Sequence, residues 1–315
     1  MSEHAPLILT VDPWLEHVDL AGVLPGFRLE QRTLPVADPS CVALLTSSGT
    51  PFTAHDAEAL PALRVVVTAS VGHDHLDVPG LAARGIATFH VPGYCSNEVA
   101  DHALASVLAL WRGIPRLDLE RRDGAWDPVA EAGLRRIAGS TLGIVGLGRI
   151  GRRLAQRAVA LGMTVLGHDP VLDDAAIRAT GATPTSLDDL LRASHAVSLH
   201  LALAPATEGL IGARELALLP PWAVLVNVSR AALVDLSALA DGLRAGRPFA
   251  AAFDVWDSEP PQPGDPRLDA PNLILTPHIA YASQESEQAL LQGAADAVRA
   301  GLEGRPLDGR LHGGG

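Results

Sequence analysis

Thr141-Leu142-Gly143-Ile144-Val145-Gly146-Leu147-Gly148-Arg149-Ile150-Gly151 runs from a β-branched apolar stretch through three spaced glycines into Arg152-Arg153-Leu154-Ala155. That order of strand, glycine turn and helix start decides the fold. The first glycine, Gly146, permits a tight turn, and Gly148 lets backbone approach a pyrophosphate. Gly151 lets the helix pack on the strand. The N–H groups at the start of the helix then face the phosphates. Ile150, Leu154, Ala158 and Leu161 share one face of that helix. A second strand, Met163–Gly167, follows and leads to Asp169, 23 residues past Gly146, with Pro170 directly after it. A carboxylate there accepts from the adenosine ribose hydroxyls and repels a 2′-phosphate, which favours NAD over NADP. The expected cradle is Gly146, Gly148, Arg149, Ile150, Gly151 and Asp169. The motif is also compatible with a structural strand end or a methyltransferase-type nucleotide site.

Outward from this unit the chain alternates short β-branched runs with Ala/Leu/Arg segments of helical period, the pattern of an α/β protein. Strands are expected at Leu7–Val11, Val42–Thr46 and Arg64–Thr68, and in a second group at Leu142–Val145, Thr164–Leu166, Val197–Leu199, Val224–Val228 and Leu273–Leu275. Helices are expected at Ala54–Leu60, Asn97–Trp111, Ile150–Leu161, Leu187–Arg192, Leu236–Ala245 and Gln284–Glu303. Two strand groups imply two open parallel sheets, divided near Asn97. The helix from Asn97 carries Val99, Ala100, Ala103, Leu104, Val107, Leu108 and Trp111, more than one face needs, so burial between domains or against a second subunit is expected. The Gln284–Glu303 segment could return to the first domain and make it discontinuous.

Composition narrows the function classes. The chain has 315 residues, about twice a typical domain, with 48% hydrophobic and 19% charged residues. A net charge of −12 argues against binding a phosphate backbone, and the basic residues cluster only as pairs such as Arg121-Arg122 and Arg152-Arg153. All 24 positive residues are arginine. Without lysine there is no Schiff base and no P-loop lysine. Cys41 and Cys95 are too few for a disulfide framework. No apolar run is long enough for a membrane span and the first residues lack a signal-peptide pattern, so a cytoplasmic protein is expected. Gly313–Gly315 form a short glycine tail.

Three downstream segments each end a strand: Val226–Asp235, which contains Arg230; Ala252–Pro260, which contains Asp254 and Glu259; and Leu275–Ala280, which contains His278. In doubly wound folds such strand ends form the ligand crevice. Arginine grips a carboxylate bidentately, and histidine moves a proton near neutral pH. With these residues the chain resembles the D-2-hydroxyacid dehydrogenase family over nearly its whole length. The resemblance includes Ala69–Asp77, Tyr94–His102 and Leu199–Thr207, with Arg230, Glu259 and His278 spaced 29 and 19 residues apart. Gly124–Asp127, Glu98-Val99-Ala100-Asp101 and His278–Ser283 are similar to its phosphoglycerate-dehydrogenase-like branch, which also holds the C-terminal binding proteins.

The resemblance implies two doubly wound parallel-sheet domains, a Rossmann NAD-binding domain (99–282) and a smaller flavodoxin-like substrate domain (1–98 with 283–315), with the cleft between them. It implies NAD as cofactor, a small 2-keto or 2-hydroxy acid as substrate, no resident metal, and a homodimer built on the long helix. His278 would be the acid that protonates the carbonyl oxygen, and Glu259 would orient it and hold it cationic. Arg230 would bind the substrate carboxylate together with the backbone at Val71 and Gly72. Asp254 would meet the nicotinamide carboxamide, and Thr207 and Val228 would line the cofactor. Tyr94, Tyr281 and Ser47-Ser48-Gly49 are candidates for the side-chain pocket. The other reading the resemblance leaves is an NADH-sensing binding protein with little turnover. His73-Asp74-His75 with Asp77 alternates like a metal site, but the resemblance makes it the substrate loop. Ala231, Ala202 and Trp222 depart from the family pattern; Ala231 stands where glycine is usual and needs a negative φ.

Overall fold

The computed structural model describes residues 5–311 except 123, 125 and 127–133. Ala125 and Asp127 of the Gly124–Asp127 stretch and the 313–315 tail therefore lie outside the described residues. Two compact units form: Met1–Cys95 with Ser283–Gly315, and Ser96–Ala282. The division falls just ahead of the Ser96–Trp111 helix, whereas a boundary at 98 would cut its first hydrogen-bonded turn.

The first unit holds five parallel strands, β1 (Leu7–Thr10), β2 (Arg28–Gln31), β3 (Cys41–Thr46), β4 (Val65–Thr68) and β5 (Ala87–His90). Their spatial order is β5-β4-β3-β1-β2, the flavodoxin-like order, which reverses beside β1. Val65-Val66-Val67 shows why the run is a central strand. Val65 and Val67 enter one core with Ile8, Phe89, Leu290 and Val298, while Val66 enters the opposite core with Leu9, Leu44 and Leu81. Burying each such side chain stabilises by about 1.5–3 kcal/mol. The Gln284–Glu303 helix covers the first of these faces. Ser283 caps its start, accepting from the Ser286 N–H, and Gly304 ends it at φ 68°. The sheet is not wholly parallel: Arg310–Leu311 pairs antiparallel to β5 at the edge.

The second unit holds β6 (Thr141–Val145), β7 (Thr164–His168), β8 (Thr183–Pro184), β9 (Ala196–Leu199), β10 (Val224–Asn227), β11 (Ala250–Phe253) and β12 (Leu273–Leu275). All are parallel, in the order β12-β11-β10-β9-β6-β7-β8. This is the Rossmann order with one further strand, and its crevice opens between β6 and β9.

Two expectations need correction. The Ser96–Trp111 helix buries Val99, Ala100, Ala103, Val107, Leu110 and Trp111, and most of them join Leu142, Leu154, Val224 and Ala252 in the core of its own unit. Its apolar crowding is thus accounted for within one domain. Ala54–Leu60 is a single 3-10 turn, Asp56–Ala59; only Ala57 and Leu60 are buried there, and Pro61 follows. No helix among the described residues is long and apolar enough to cross a membrane.

Candidate active site

The glycine turn is enforced by close contacts. Gly146 sits at φ 97°, and a Cβ there would lie 2.6 Å from the His200 carbonyl carbon. A Cβ on Gly151 would lie 2.0 Å from the Gly146 carbonyl oxygen. Gly148 differs: no heavy atom lies within 4 Å of its Cβ position, and it is the N-cap of the Arg149–Ala160 helix with no side chain capping it. The open volume thus lies at the start of the helix, where N–H groups have no carbonyl of the preceding turn to bond, which is what a pyrophosphate requires.

Asp169 is held beside this cradle. Its Oδ2 accepts from the Leu147 N–H at 2.8 Å, and its Oδ1 from Val171 and Leu172 at 2.9 and 3.1 Å. A carboxylate has about four lone-pair sites, so Oδ2 keeps capacity for a ribose hydroxyl. The residues present therefore fit a dinucleotide. Ile150 is half-buried behind the turn and packs on the core, and Arg149 opens the helix.

His200, at the end of β9, pairs through Nε2 with Ser198 Oγ at 2.8 Å, and burial pushes its pKa down to about 4. It is therefore a neutral wall of the turn. The Thr207 hydroxyl is committed to its own loop, donating to Ala202 O at 2.8 Å and accepting from the Ala204 N–H at 2.9 Å. Val228 lies half-buried just past β10.

The catalytic candidates occupy the carboxyl ends of neighbouring strands. Past β10, buried Asn227 donates from Nδ2 to Arg230 O at 2.8 Å and accepts from the Ser229 N–H at 3.0 Å, which fixes the turn that presents Arg230. Ala231 opens a 3-10 turn and is absent from the positive-φ residues, so the missing glycine brings no strain. Trp222 lies under Arg135, 5.1 Å from guanidinium to ring.

Past β11, Glu259 accepts from the Trp256 N–H at 2.9 Å and pairs through Oε2 with His278 Nδ1 at 2.6 Å. Burial pushes the Glu259 pKa up. The hydrogen bonds from His278 and Trp256 and the charges of His278 and Arg230 outweigh it, leaving the carboxyl below its ordinary range. It is an ionised acceptor, so His278 donates from Nδ1 and presents Nε2 for proton transfer.

His278 stands at φ 52°, a left-handed conformation for a non-glycine residue. Asp254 holds it there. This buried carboxylate accepts from Thr276 Oγ1 at 2.6 Å, Ile279 N–H at 3.0 Å and Ala280 N–H at 2.8 Å, bracketing His278 on both sides. His102 Nε2 backs the same cluster, 3.2 Å from Thr276 Oγ1. Asn227, Thr276 and His102 are positioning residues whose roles the sequence does not mark, although each lies in a stretch that carries the family resemblance: Val226–Asp235, Leu275–Ala280 and Tyr94–His102.

Val71 and Gly72 lie in the loop after β4, in the other unit. In the His73–Asp77 stretch, His75 Nε2 pairs with Thr68 Oγ1 at 3.0 Å, and Asp77 caps the Val78–Ala83 helix through the Gly80 N–H. Among the described residues no group of three His, Cys, Asp or Glu is placed to hold a metal ion. Cys95 is buried.

Residues 104–280 match the family model described as D-isomer specific 2-hydroxyacid dehydrogenase, NAD binding domain. The chain is 37% identical over 275 residues to a D-3-phosphoglycerate dehydrogenase of Mycobacterium tuberculosis, covering 87% of this chain and 52% of that protein. It thus spans about half the length of such relatives. A glycerate dehydrogenase of Methylorubrum extorquens is 36% identical over 263 residues, with 81% of each chain covered. Among solved structures, a D-lactate dehydrogenase from Aquifex aeolicus complexed with NAD and lactic acid superposes with a TM-score of 0.85 at 26% identity, covering 95% of this chain and 96% of that one.

Proposed function

The chain belongs to the D-isomer-specific 2-hydroxyacid dehydrogenase family, and from that premise we propose that it is an NAD-dependent oxidoreductase, cytoplasmic and homodimeric, which interconverts a small 2-keto acid and the D-2-hydroxy acid. The observation that carries this reading is the 2.6 Å Glu259–His278 pair, set on the same sheet as the glycine cradle. An anchored acid–base pair beside a dinucleotide turn is the minimum that reversible carbonyl reduction requires.

The Gly146–Gly151 turn and Asp169 hold the dinucleotide, whose nicotinamide supplies the hydride when bound. Arg230 grips the substrate carboxylate. His278 gives its Nε2 proton to the carbonyl oxygen during reduction and takes it back during oxidation. Glu259 fixes the ring and stabilises the imidazolium. Asp254 keeps the His278 loop in its left-handed turn and has an Oδ2 lone pair left for the nicotinamide carboxamide.

NADH oxidation followed at 340 nm against a panel of 2-keto acids tests the proposal. At least one acid is expected to turn over above about 1 s⁻¹, with NADPH a poorer donor because of Asp169. Tight NADH binding without turnover on any acid would overturn the reading.

The dimer rests on the Ile114–Arg122 helix, which buries none of its residues and leaves Ile114 60% and Leu119 67% exposed. Leu119 lines an apolar groove with Leu110, Phe249 and Leu273, the last on the edge strand β12. Light scattering is expected to give twice the 32.8 kDa chain mass; a monomer at micromolar concentration would refute the dimer.

A further inference from the structure

The loop after β4 has three consecutive carbonyl oxygens tied down within its own unit. Ser70 O accepts from the Val91 N–H at 3.0 Å, Val71 O from His90 Nδ1 at 2.7 Å, and Gly72 O from Ser70 Oγ at 2.6 Å. In a trans peptide the N–H points opposite to the C=O. Each tie therefore aims the next residue's N–H away from the group that holds the carbonyl, for Val71, Gly72 and His73 in turn. Among the described residues none of these three N–H groups finds an acceptor. Successive N–H groups on one side of a loop form a concavity that takes an anionic oxygen.

The supporting groups have fixed donor directions. Ser70 spends its hydroxyl proton on Gly72 O, so the 2.7 Å contact with Thr68 Oγ1 is a donation from Thr68. The 3.0 Å contact between Thr68 Oγ1 and His75 Nε2 is then a donation from His75. His75, Thr68 and Ser70 form a one-way chain ending on Gly72 O, and His90 carries its proton on Nδ1. His90 is rigidly placed: its own N–H bonds to Gly309 O at 2.9 Å, and the His73 ring packs edge-on against it, 5.1 Å between centroids.

We propose that His90 and Ser70 are positioning residues for the substrate carboxylate, acting by fixing the Val71 and Gly72 carbonyls so that the Gly72 and His73 N–H groups are aimed at it. The role rests on the keto-acid reading above. It shifts the donor pair one residue along from Val71 and Gly72, and it makes no use of the His90 ring as an acid or base.

The test is a steady-state comparison of wild type, His90→Phe, His90→Asn and Ser70→Ala on the best keto acid, with NADH affinity by fluorescence and thermal melting alongside. His90→Phe keeps ring bulk but loses the donor, and is expected to raise KM for the acid about tenfold, with kcat within about threefold and NADH affinity unchanged. His90→Asn, whose amide N–H stands where the imidazole Nδ1–H stood, is expected to return KM to within about twofold of wild type. Ser70→Ala, should His90→Phe not fold, is expected to raise KM by about threefold to tenfold. Wild-type turnover with an unchanged KM in the folded donor-deleted variants, or with Asn as impaired as Phe, overturns the role alone. A wild type inactive on every 2-keto acid overturns the keto-acid reading and the role with it.

Discussion

His278→Ala is expected to lower keto-acid turnover by about 10³–10⁴, the contribution of a positioned general acid, while NADH affinity changes by less than about twofold. The loss is specific because His278 offers one free nitrogen, with Nδ1 committed to Glu259 at 2.6 Å. His278→Asn is the companion variant, since asparagine tolerates the left-handed φ of 52° and leaves the Asp254 anchors at Thr276, Ile279 and Ala280 in place. Near-normal turnover in either variant would remove His278 from the mechanism.

Glu259→Gln separates charge from geometry within the same pair. The Glu259 carboxyl lies below its ordinary range, so it stays ionised through the neutral region and loses its charge only as pH falls through that lowered value. Glutamine keeps an acceptor oxygen and removes the charge that favours the imidazolium. The alkaline limit of kcat/KM for reduction is therefore expected to move to lower pH, and a profile superimposable on wild type would contradict the pairing.

Gly151→Ala is expected to abolish tight NADH binding, lowering affinity by more than about 100-fold, and to lower the melting temperature. The added Cβ would stand 2.0 Å from the Gly146 carbonyl oxygen, a backbone atom that cannot swing aside. The Arg149–Ala160 helix must then lift from β6, at a cost of about 1–3 kcal/mol for overpacking, and the turn loses its shape. Gly148→Ala supplies the contrast. Nothing lies within 4 Å of that Cβ, so the protein should melt like wild type, yet the methyl intrudes where the pyrophosphate sits and affinity falls by about tenfold. Calorimetric titration with NADH and a melting curve on both variants decide the matter. A Gly151→Ala protein with wild-type affinity and stability would mean that the helix does not need its close approach.

The sequence disclosed what is local and repetitive. The β6–helix–β7 unit was readable because its glycines, two and three residues apart, answer to local demands of the turn. Buried strands such as Val65–Thr68 were readable as short β-branched runs. What escaped was set by tertiary partners. Arg28–Gln31 is half-buried and polar, carrying no apolar pattern of its own, and forms a strand because it pairs with β1. Arg310–Leu311 is a strand only because β5 offers it an edge. At the site, Arg230, Glu259 and His278 stood out by residue type and order, whereas Asn227 and Thr276 act by holding backbone and nothing in their spacing announces that. The role of His90 depends on a hydrogen bond to a loop 19 residues earlier in the chain, and no residue pattern in the sequence marks that bond.

The Gln284–Glu303 helix supplies Leu290, Ala294, Ala297 and Val298 to the core beneath β3, β4 and β5, although those strands precede it by the whole of Ser96–Ala282. During synthesis at about 5–20 residues per second, the early sheet waits on the order of 10–40 s for the segment that seals it. The later unit has meanwhile emerged complete and can fold on its own contacts. Of the two units, the one begun first is thus closed second. Its naked valine face is the surface a ribosome-bound chaperone would shield, and the interval in which translation speed governs yield ends only when the final helix arrives.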